Sequence, residues 1–345
     1  MALERDTFGP SELAVALSHY DTGIITAIRD FPRGSRRSPK AIIDCQRGRL
    51  LFKRRGHGAG ELGKVAFAHQ VQLHLAAEGF PLPHLIGTRP DNNSMLVLGD
   101  RIYELFEYIE GGSYDGSLEA TFHAGKILGL YHKLLVDFRS DYTPPTAGYH
   151  GHQAISQAIS RTIEALPDTG RPDPGALSET VGFLKDAYQT CGARADEAGV
   201  KDWPAQIVHG DWHPGNMLFR DNVVVAVIDY DSSRLQQRVM DLANGALQFS
   251  ILGGSADPSE WPDHLDQTRL RRFLTGYDSA NVISRGELGV IGYLMCEALI
   301  AEAVLPIAAT GRFGRMDGFP FLQTIRRKVA WIIQHMKEVN SALKD

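Results

Sequence analysis

Cysteine is scarce in this chain. The 345 residues contain three, Cys45, Cys191 and Cys296, far apart and without pairing or metal-type spacing. A disulfide framework is therefore not expected, and a reducing, cytoplasmic setting is. The opening MALERDTFGP lacks the apolar core of a secretory signal. An excess of positive charge is also missing: the net charge of −5 argues against a general nucleic-acid surface. One long apolar run, Gly289 to Thr310, has the length of a membrane span, but Glu297, Glu302 and Pro306 interrupt it. Two carboxylates in mid-span are costly, so a buried core helix and no membrane partner are expected. Internal repeats and low-complexity tracts are absent, and the length suits two lobes, each with its own core.

What is present is concentrated in Ile207 to Leu242, which reads IVHGDWHPGNMLFRDNVVVAVIDYDSSRLQQRVMDL. Apolar residues lead into His209-Gly210-Asp211, and a loop runs to Asn216. Met217 to Phe219 then resumes a strand. After an Asp221-Asn222 turn, Val223 to Ile228 is an almost unbroken β-branched run, suited to a buried hairpin partner, and Asp229-Tyr230-Asp231 stands at its end. Carboxylates held at strand ends are suited to chemistry. Phosphoryl transfer needs a carboxylate beside the attacking hydroxyl, an amide oxygen and a second carboxylate for Mg²⁺, and a cation for the phosphates. Asp211, Asn216 and Asp229 supply the first three in order, and the Asp211 to Asn216 interval equals that of the kinase catalytic loop.

The three-part pattern H-G-D-x-H-x-x-N, I-D-aromatic-acidic and D-L-A, at His209–Asn216, Ile228–Asp231 and Asp241–Ala243, resembles that of the aminoglycoside phosphotransferase, choline kinase and homoserine kinase superfamily. The resemblance implies an α+β, two-lobed protein-kinase-like fold: a nucleotide-binding lobe over residues 1–109 with an antiparallel sheet and one helix, then a mainly helical lobe over 110–345 for catalysis and acceptor binding. It further implies ATP and Mg²⁺ as cofactors and a small-molecule hydroxyl as phosphate acceptor. On the same basis Asp211 takes the acceptor's proton, Asn216 and Asp229 hold Mg²⁺, and His209 joins Asp211 in the catalytic loop, bracing it by hydrogen bonding. Asp241 would tie that loop from the start of a helix, and Asp231 could help the metal, meet a cationic acceptor or be solvated. Where the family often has a Gly-Asp-Pro type turn after the metal aspartate, this chain reads Arg234 to Met240, which leaves the loop geometry there open.

In the first lobe, strands are expected at Ile24–Arg29, Lys40–Asp44 and Arg49–Arg54. The connection Phe31–Pro39 contains Gly34 and Ser35 with Arg33, Arg36 and Arg37, where backbone amides can approach phosphate. A basic hairpin turn is the commoner meaning of such a loop, but it lies where the family covers its nucleotide. A charged residue in an apolar strand is commonly its solvent-facing alternate; by its place in the third strand, Lys53 corresponds to the phosphate-pairing lysine, with Arg54 and Arg55 pointing elsewhere. The next helix, Gly63–Ala77, departs from the pattern because its middle has no acid to anchor that lysine. His69 lies nearest the expected place, and Glu61 just before the helix is the other candidate. Tyr103 to Ile109 resembles the hinge, where main chain at Glu107 to Ile109 would hold adenine.

In the second lobe helices are expected at Leu118–Val136, Ala154–Leu166, Leu177–Gly199 and near Thr324–Leu343, with loops at Pro144–His152 and Pro167–Pro174. Three competing readings remain. A zinc hydrolase could use His209, Asp211 and His213 as H-x-D-x-H, although no second histidine cluster supports it. A nucleotide-binding pseudokinase is suggested by the missing helix acid, and protein serine/threonine kinase activity is the alternative within the class.

Overall fold

Side-chain alternation organises the first hundred residues. The structure, a computed structural model, describes residues 5–56, 61–166, 173–255 and 257–343. Strands β1 (Ile25–Asp30), β2 (Lys40–Cys45), β3 (Gly48–Arg54), β4 (Leu96–Leu98) and β5 (Arg101–Glu107) form one antiparallel sheet in the order β1-β2-β3-β5-β4. In β3 the period of two sends Leu50, Phe52 and Arg54 to one face, leaving Leu51 and Lys53 for the other. The register carries both sets across the sheet. Ala41 opposes Phe52, which opposes Leu105; Lys40 opposes Lys53, which opposes Glu104.

The first face is a small core. Ala41, Ile43, Phe52 and Leu105 are fully buried there with Tyr20 and with helix α1 (Pro10–Leu17). Each large side chain so covered contributes about 2 kcal/mol of apolar burial. Arg54 shares this face, neutralised by Asp6 and Glu12. The opposite face has two rows side by side: an apolar row, Ile42–Leu51–Phe106, and a charged row, Lys40–Lys53–Glu104. Helix α2 (Leu62–Ala77) follows β3, and its Phe67, Val71 and Leu75 pack into the larger core of the second lobe rather than into the small core.

That larger core is helical. The apolar run of the sequence is part of α8 (Arg285–Thr310), which is packed by α4 (Gln153–Ala165), α5 (Pro174–Glu197), α6 (Arg238–Ser250) and α9 (Gly318–Gln334). A Ser284–Glu287 capping box starts α8, and Gly311 in the left-handed region ends it. Glu297, inside this helix and fully buried, is matched by His150: Nδ1 lies 2.7 Å from Glu297 Oε2 and Nε2 lies 3.1 Å from Asp196 Oδ1 on α5. The Gly151 N–H adds a bond to Glu297 at 3.0 Å. Helices α3 (Leu118–Leu134) and α7 (Gln267–Ala280) cross at Gly125 and Gly276. A Cβ at either would stand 2.0 Å from the facing carbonyl of Phe273 or Phe122.

Two small sheets carry the central stretch. Strand β6 (Ala205–Val208) pairs with β9 (Arg234–Gln237), and β7 (Met217–Arg220) with β8 (Val223–Val227). The atypical Arg234–Met240 segment is thus a strand running directly into α6. The chain's last long helix begins earlier than expected, at Gly318. A hairpin of β10 (Arg312–Phe313) and β11 (Met316–Asp317) leads into it. It breaks at His335 before the short α10 (Met336–Val339). The loop expected at Pro167–Pro174 lies mostly outside the described residues.

The His150 clasp sets a pH dependence. Burial opposes its charge, but Glu297 and Asp196 outweigh burial and raise the imidazole pKa. A raised folded-state pKa gives stability that is complete below the unfolded value of about 6.5 and lost as pH rises through the folded value. The melting-temperature gap between wild type and His150→Ala should therefore be larger at about pH 6 than at about pH 9. A gap that does not shrink with rising pH would exclude a charged His150.

Candidate active site

The β7–β8 hairpin brings the distant motif residues together. Its two-residue turn, Asp221-Asn222, takes positive φ at both positions (50° and 65°), the backbone that suits tight hairpins. Met217 opposes Val227, and the Ile228 N–H donates to Asn216 O at 2.9 Å. Asn216 and Asp229 thereby flank the same end of the hairpin, although twelve residues lie between them in sequence. Asp229 itself is held at φ 67°; non-glycine residues in that region cluster at functional sites.

Asn216 also fixes Asp211. Its Nδ2 donates to the Asp211 carbonyl (3.0 Å) and to Oδ2 (2.9 Å). The amide nitrogen being so engaged, its oxygen is turned away from Asp211. His213 Nε2 lies 3.5 Å from the same Oδ2. Burial raises the pKa of the Asp211 carboxyl, but His213 and Asn216 prevail and hold it low. His213 is correspondingly raised by Asp211 against its own burial.

The loop backbone is tied from below by Asp241 in the first turn of α6. Its carboxylate accepts the N–H groups of His209 (2.6 Å) and Gly210 (2.8 Å), and His132 Nε2 lies 3.3 Å away. His132 Nδ1 in turn lies 2.8 Å from the Tyr277 hydroxyl. Gly210, at φ 77°, has no room for a side chain, since a Cβ would come within 2.4 Å of Ser232 O. Hydrogen-bonded bracing at His209 comes from its main chain. Its ring is fully buried among Tyr131, Trp212 and Tyr230, with centroids 5.3–5.9 Å away, and burial lowers its pKa, favouring the neutral form. The ring is part of the loop's floor. Arg234 of β9 completes the support, donating to the carbonyls of Ser232 (2.8 Å), Ala147 (2.7 Å) and Gly210 (3.4 Å).

Across the cleft, the missing helix acid is replaced from the sheet. Glu104 of β5, fully buried, stands directly opposite Lys53, with Oε2 3.3 Å from Nζ. His69 of α2 lies 2.6 Å from the other oxygen, Oε1, and 2.8 Å from Ser94 Oγ. His69 therefore holds the lysine's partner, whereas Glu61 pairs with Lys64 at 2.7 Å. Arg55 does not point elsewhere. It follows Lys53 by two positions and lies on the same side, 2.8 Å from Glu104 Oε1, while Arg54 takes the opposite face. Arg55 also grips Asp231 by two bonds, at 2.7 and 3.0 Å, and Lys53 lies 3.7 Å from that carboxylate. Burial is the largest influence on Glu104 and raises its pKa, yet Lys53, His69 and Arg55 hold it far below the usual range. Lys53 is raised, its burial outweighed by Glu104 and Asp231. Lys40 is lowered by burial and then by Lys53.

These groups share a cavity lined by Lys40, Lys53, Arg55, Phe106, Asp229 and Asp231. Gly34 (φ 79°) and Ser35 lie in the β1–β2 connection with their carbonyls accepting from Arg5. Lys40 Nζ comes close enough to Gly34 to fill a Cβ position there. At the crossover between lobes the Glu107 N–H is engaged by His84 O (2.9 Å) and the Tyr108 N–H by Arg49 O (3.1 Å), which leaves Ile109 next in line. Lys40, Arg55 and Glu104 were not singled out by motif. Strand alternation from Lys53 is the signal that finds Arg55, whereas Lys40 and Glu104 follow only from the cross-strand register. Among the described residues no group of three or more His, Cys, Asp or Glu is arranged to hold a metal. The H-x-D-x-H reading also loses its first ligand to the buried floor.

A family model described as phosphotransferase enzyme family matches residues 28–283, most of the chain. This protein belongs to that family. Homoserine kinase of Zymomonas mobilis is 23% identical over 270 residues, covering 77% of this chain and 76% of its own. Homoserine kinase of Methylocella silvestris is 24% identical over 245 residues, covering 68% and 67%. Among solved structures, the amicoumacin kinase hAmiN in complex with AMP-PNP, Ca²⁺ and Ami superposes with a TM-score of 0.66 at 10% identity, covering 97% of this chain and 94% of that one. The family and fold place this phosphotransferase among the protein-kinase-like proteins.

Removing the charge of Glu104 leaves two cations facing each other without their buried counter-ion. Glu104→Gln should lower unfolding free energy by on the order of 3 kcal/mol in urea titration. A change below about 0.5 kcal/mol, the range of surface substitutions, would exclude Glu104 as the anchor.

Proposed function

We propose that this phosphotransferase moves the γ-phosphate of ATP to the hydroxyl of a small molecule in a Mg²⁺-dependent reaction. One observation carries the reading: Asp229 lines one cavity with Lys40, Lys53 and Glu104 and stands at the end of the hairpin where Asn216 holds Asp211. Adenine fits against the apolar row Ile42–Leu51–Phe106 and the main chain near Ile109. The phosphates extend toward the charged row, two residues further along each strand.

Asn216 and Asp229 suit Mg²⁺, which takes oxygen donors, often one or two carboxylates beside phosphate and water. The orientation of the Asn216 amide, with nitrogen toward Asp211, leaves an oxygen for that purpose. Bound there, Mg²⁺ supplies charge neutralisation on the phosphates. Asp211, kept in its charged form against burial by His213 and Asn216, accepts the acceptor's proton. The acceptor oxygen forms its bond to phosphorus as the bond to the ADP oxygen breaks. Lys53 and its Glu104 anchor position the phosphates.

The missing helix acid no longer favours an inactive scaffold, since Glu104 does its work. A second acidic group, Glu302 of α8, accepts a bond from Gln248 Nε2 (2.7 Å), and burial, aided by the charge of Asp211, raises its pKa to about 7. Amino alcohols, headed by L-homoserine because of the two homoserine kinase relatives, are the first to test.

Labelled ATP and Mg²⁺ with a panel of amino alcohols, aminoglycosides, sugars and generic protein substrates should give transfer to at least one small hydroxyl compound. Transfer confined to protein substrates would overturn the small-molecule reading. Asp211→Ala should lose about 10²- to 10⁴-fold in turnover, the usual worth of a positioned acid or base, and keep most of its nucleotide affinity. Wild-type turnover in that variant would rule out Asp211 as the base.

A further inference from the structure

We propose that Arg55 is a second phosphate-binding cation of the nucleotide site and that Asp231 competes with the nucleotide for it. The inference rests on the nucleotide reading above and adds a residue to it. Arg55 is anchored, not mobile: its side chain is 14% exposed, and Nη2 is bonded to Glu104 Oε1, whose own side chain has no exposure. Lys53 takes the other oxygen of the same carboxylate. One buried negative charge thus serves two cations, so positive charge is left over toward the cavity.

Asp231 supplies the remaining negative charge, and it differs from Glu104 in being replaceable. Its side chain is 43% exposed and stands on the short turn Tyr230–Ser232, immediately after Asp229. It meets the outward edge of Arg55 through both carboxylate oxygens. A phosphate presents the same paired oxygens with more charge, and a planar guanidinium suits either. Because Arg55 belongs to the first lobe and Asp231 to the second, their pair also spans the cleft. A phosphate that takes Arg55 must break this bridge, and wild-type affinity is lowered by the competition.

The test compares ADP and adenosine binding by calorimetry in EDTA, where any part played by Asp231 toward a metal drops out. Arg55→Gln should weaken ADP by about 10- to 100-fold, the size of a charge-assisted hydrogen bond, and leave adenosine unchanged. Arg55→Lys, which keeps the charge but loses the fork, should fall between. Asp231→Asn, which removes the competitor, should tighten ADP. Unchanged ADP affinity in Arg55→Gln, or equal losses for ADP and adenosine, overturns the role of Arg55. Should that variant not fold, Asp231→Asn decides, and affinity no tighter than wild type overturns the inference. A wild type that binds neither ligand sinks the nucleotide reading itself, a result distinct from both.

Discussion

A single buried carboxylate governs the first lobe's side of this cleft. Glu104 has no solvent, so its charge is tolerable only because Lys53, Arg55 and His69 surround it. The converse holds equally: two cations two residues apart on one strand face would repel without it. Sheet register makes the arrangement possible, because Lys53 and Glu104 are direct cross-strand partners whose spacing follows from backbone hydrogen bonding. Lys40 completes the row from the other side. Polarity along the strands then follows from the period of two, with an apolar strip and a charged strip on the same face.

The second lobe meets this with a hairpin and a helix start. Register at Met217 and Val227 brings Asn216 and Asp229 to one end, while Asp241 satisfies two adjacent N–H groups that would otherwise be left over at the bend. Beneath them the ring of His209 and its aromatic neighbours form a packed floor. Polar chemistry thus sits on a closely packed aromatic support.

Much of this was legible in the chain because the informative residues are close in sequence. His209 to Asp231 spans one loop and one hairpin, so its residues are neighbours by spacing, and the family resemblance that the motifs carry implies the two-lobed α+β class. The partner of Lys53 was not legible in that way. Glu104 lies fifty-one positions further on, and only strand pairing makes the two neighbours; a glutamate flanked by Tyr103 and Leu105 reads as an ordinary strand residue. Arg55 was misplaced for a related reason. Residues i and i+2 share a face, and applying that rule to Lys53 puts Arg55 beside it and Arg54 behind. Glu297 interrupts an apolar run in sequence, yet its compensation by His150 is a contact between distant segments that no local pattern records.

The cross-strand origin of the lysine's partner has a consequence for control. In protein kinases the corresponding glutamate rides on a helix, so tilting that helix makes or breaks the pair and sets activity. Here a tilt of α2 would withdraw the imidazole of His69 and disturb the packing of Phe67, Val71 and Leu75, but the strands would keep Lys53 and Glu104 face to face. The lever by which signalling kinases are turned off has no purchase on this cleft. Displacing that helix would loosen the packing around the pair without by itself parting its two charges, which the sheet register holds together.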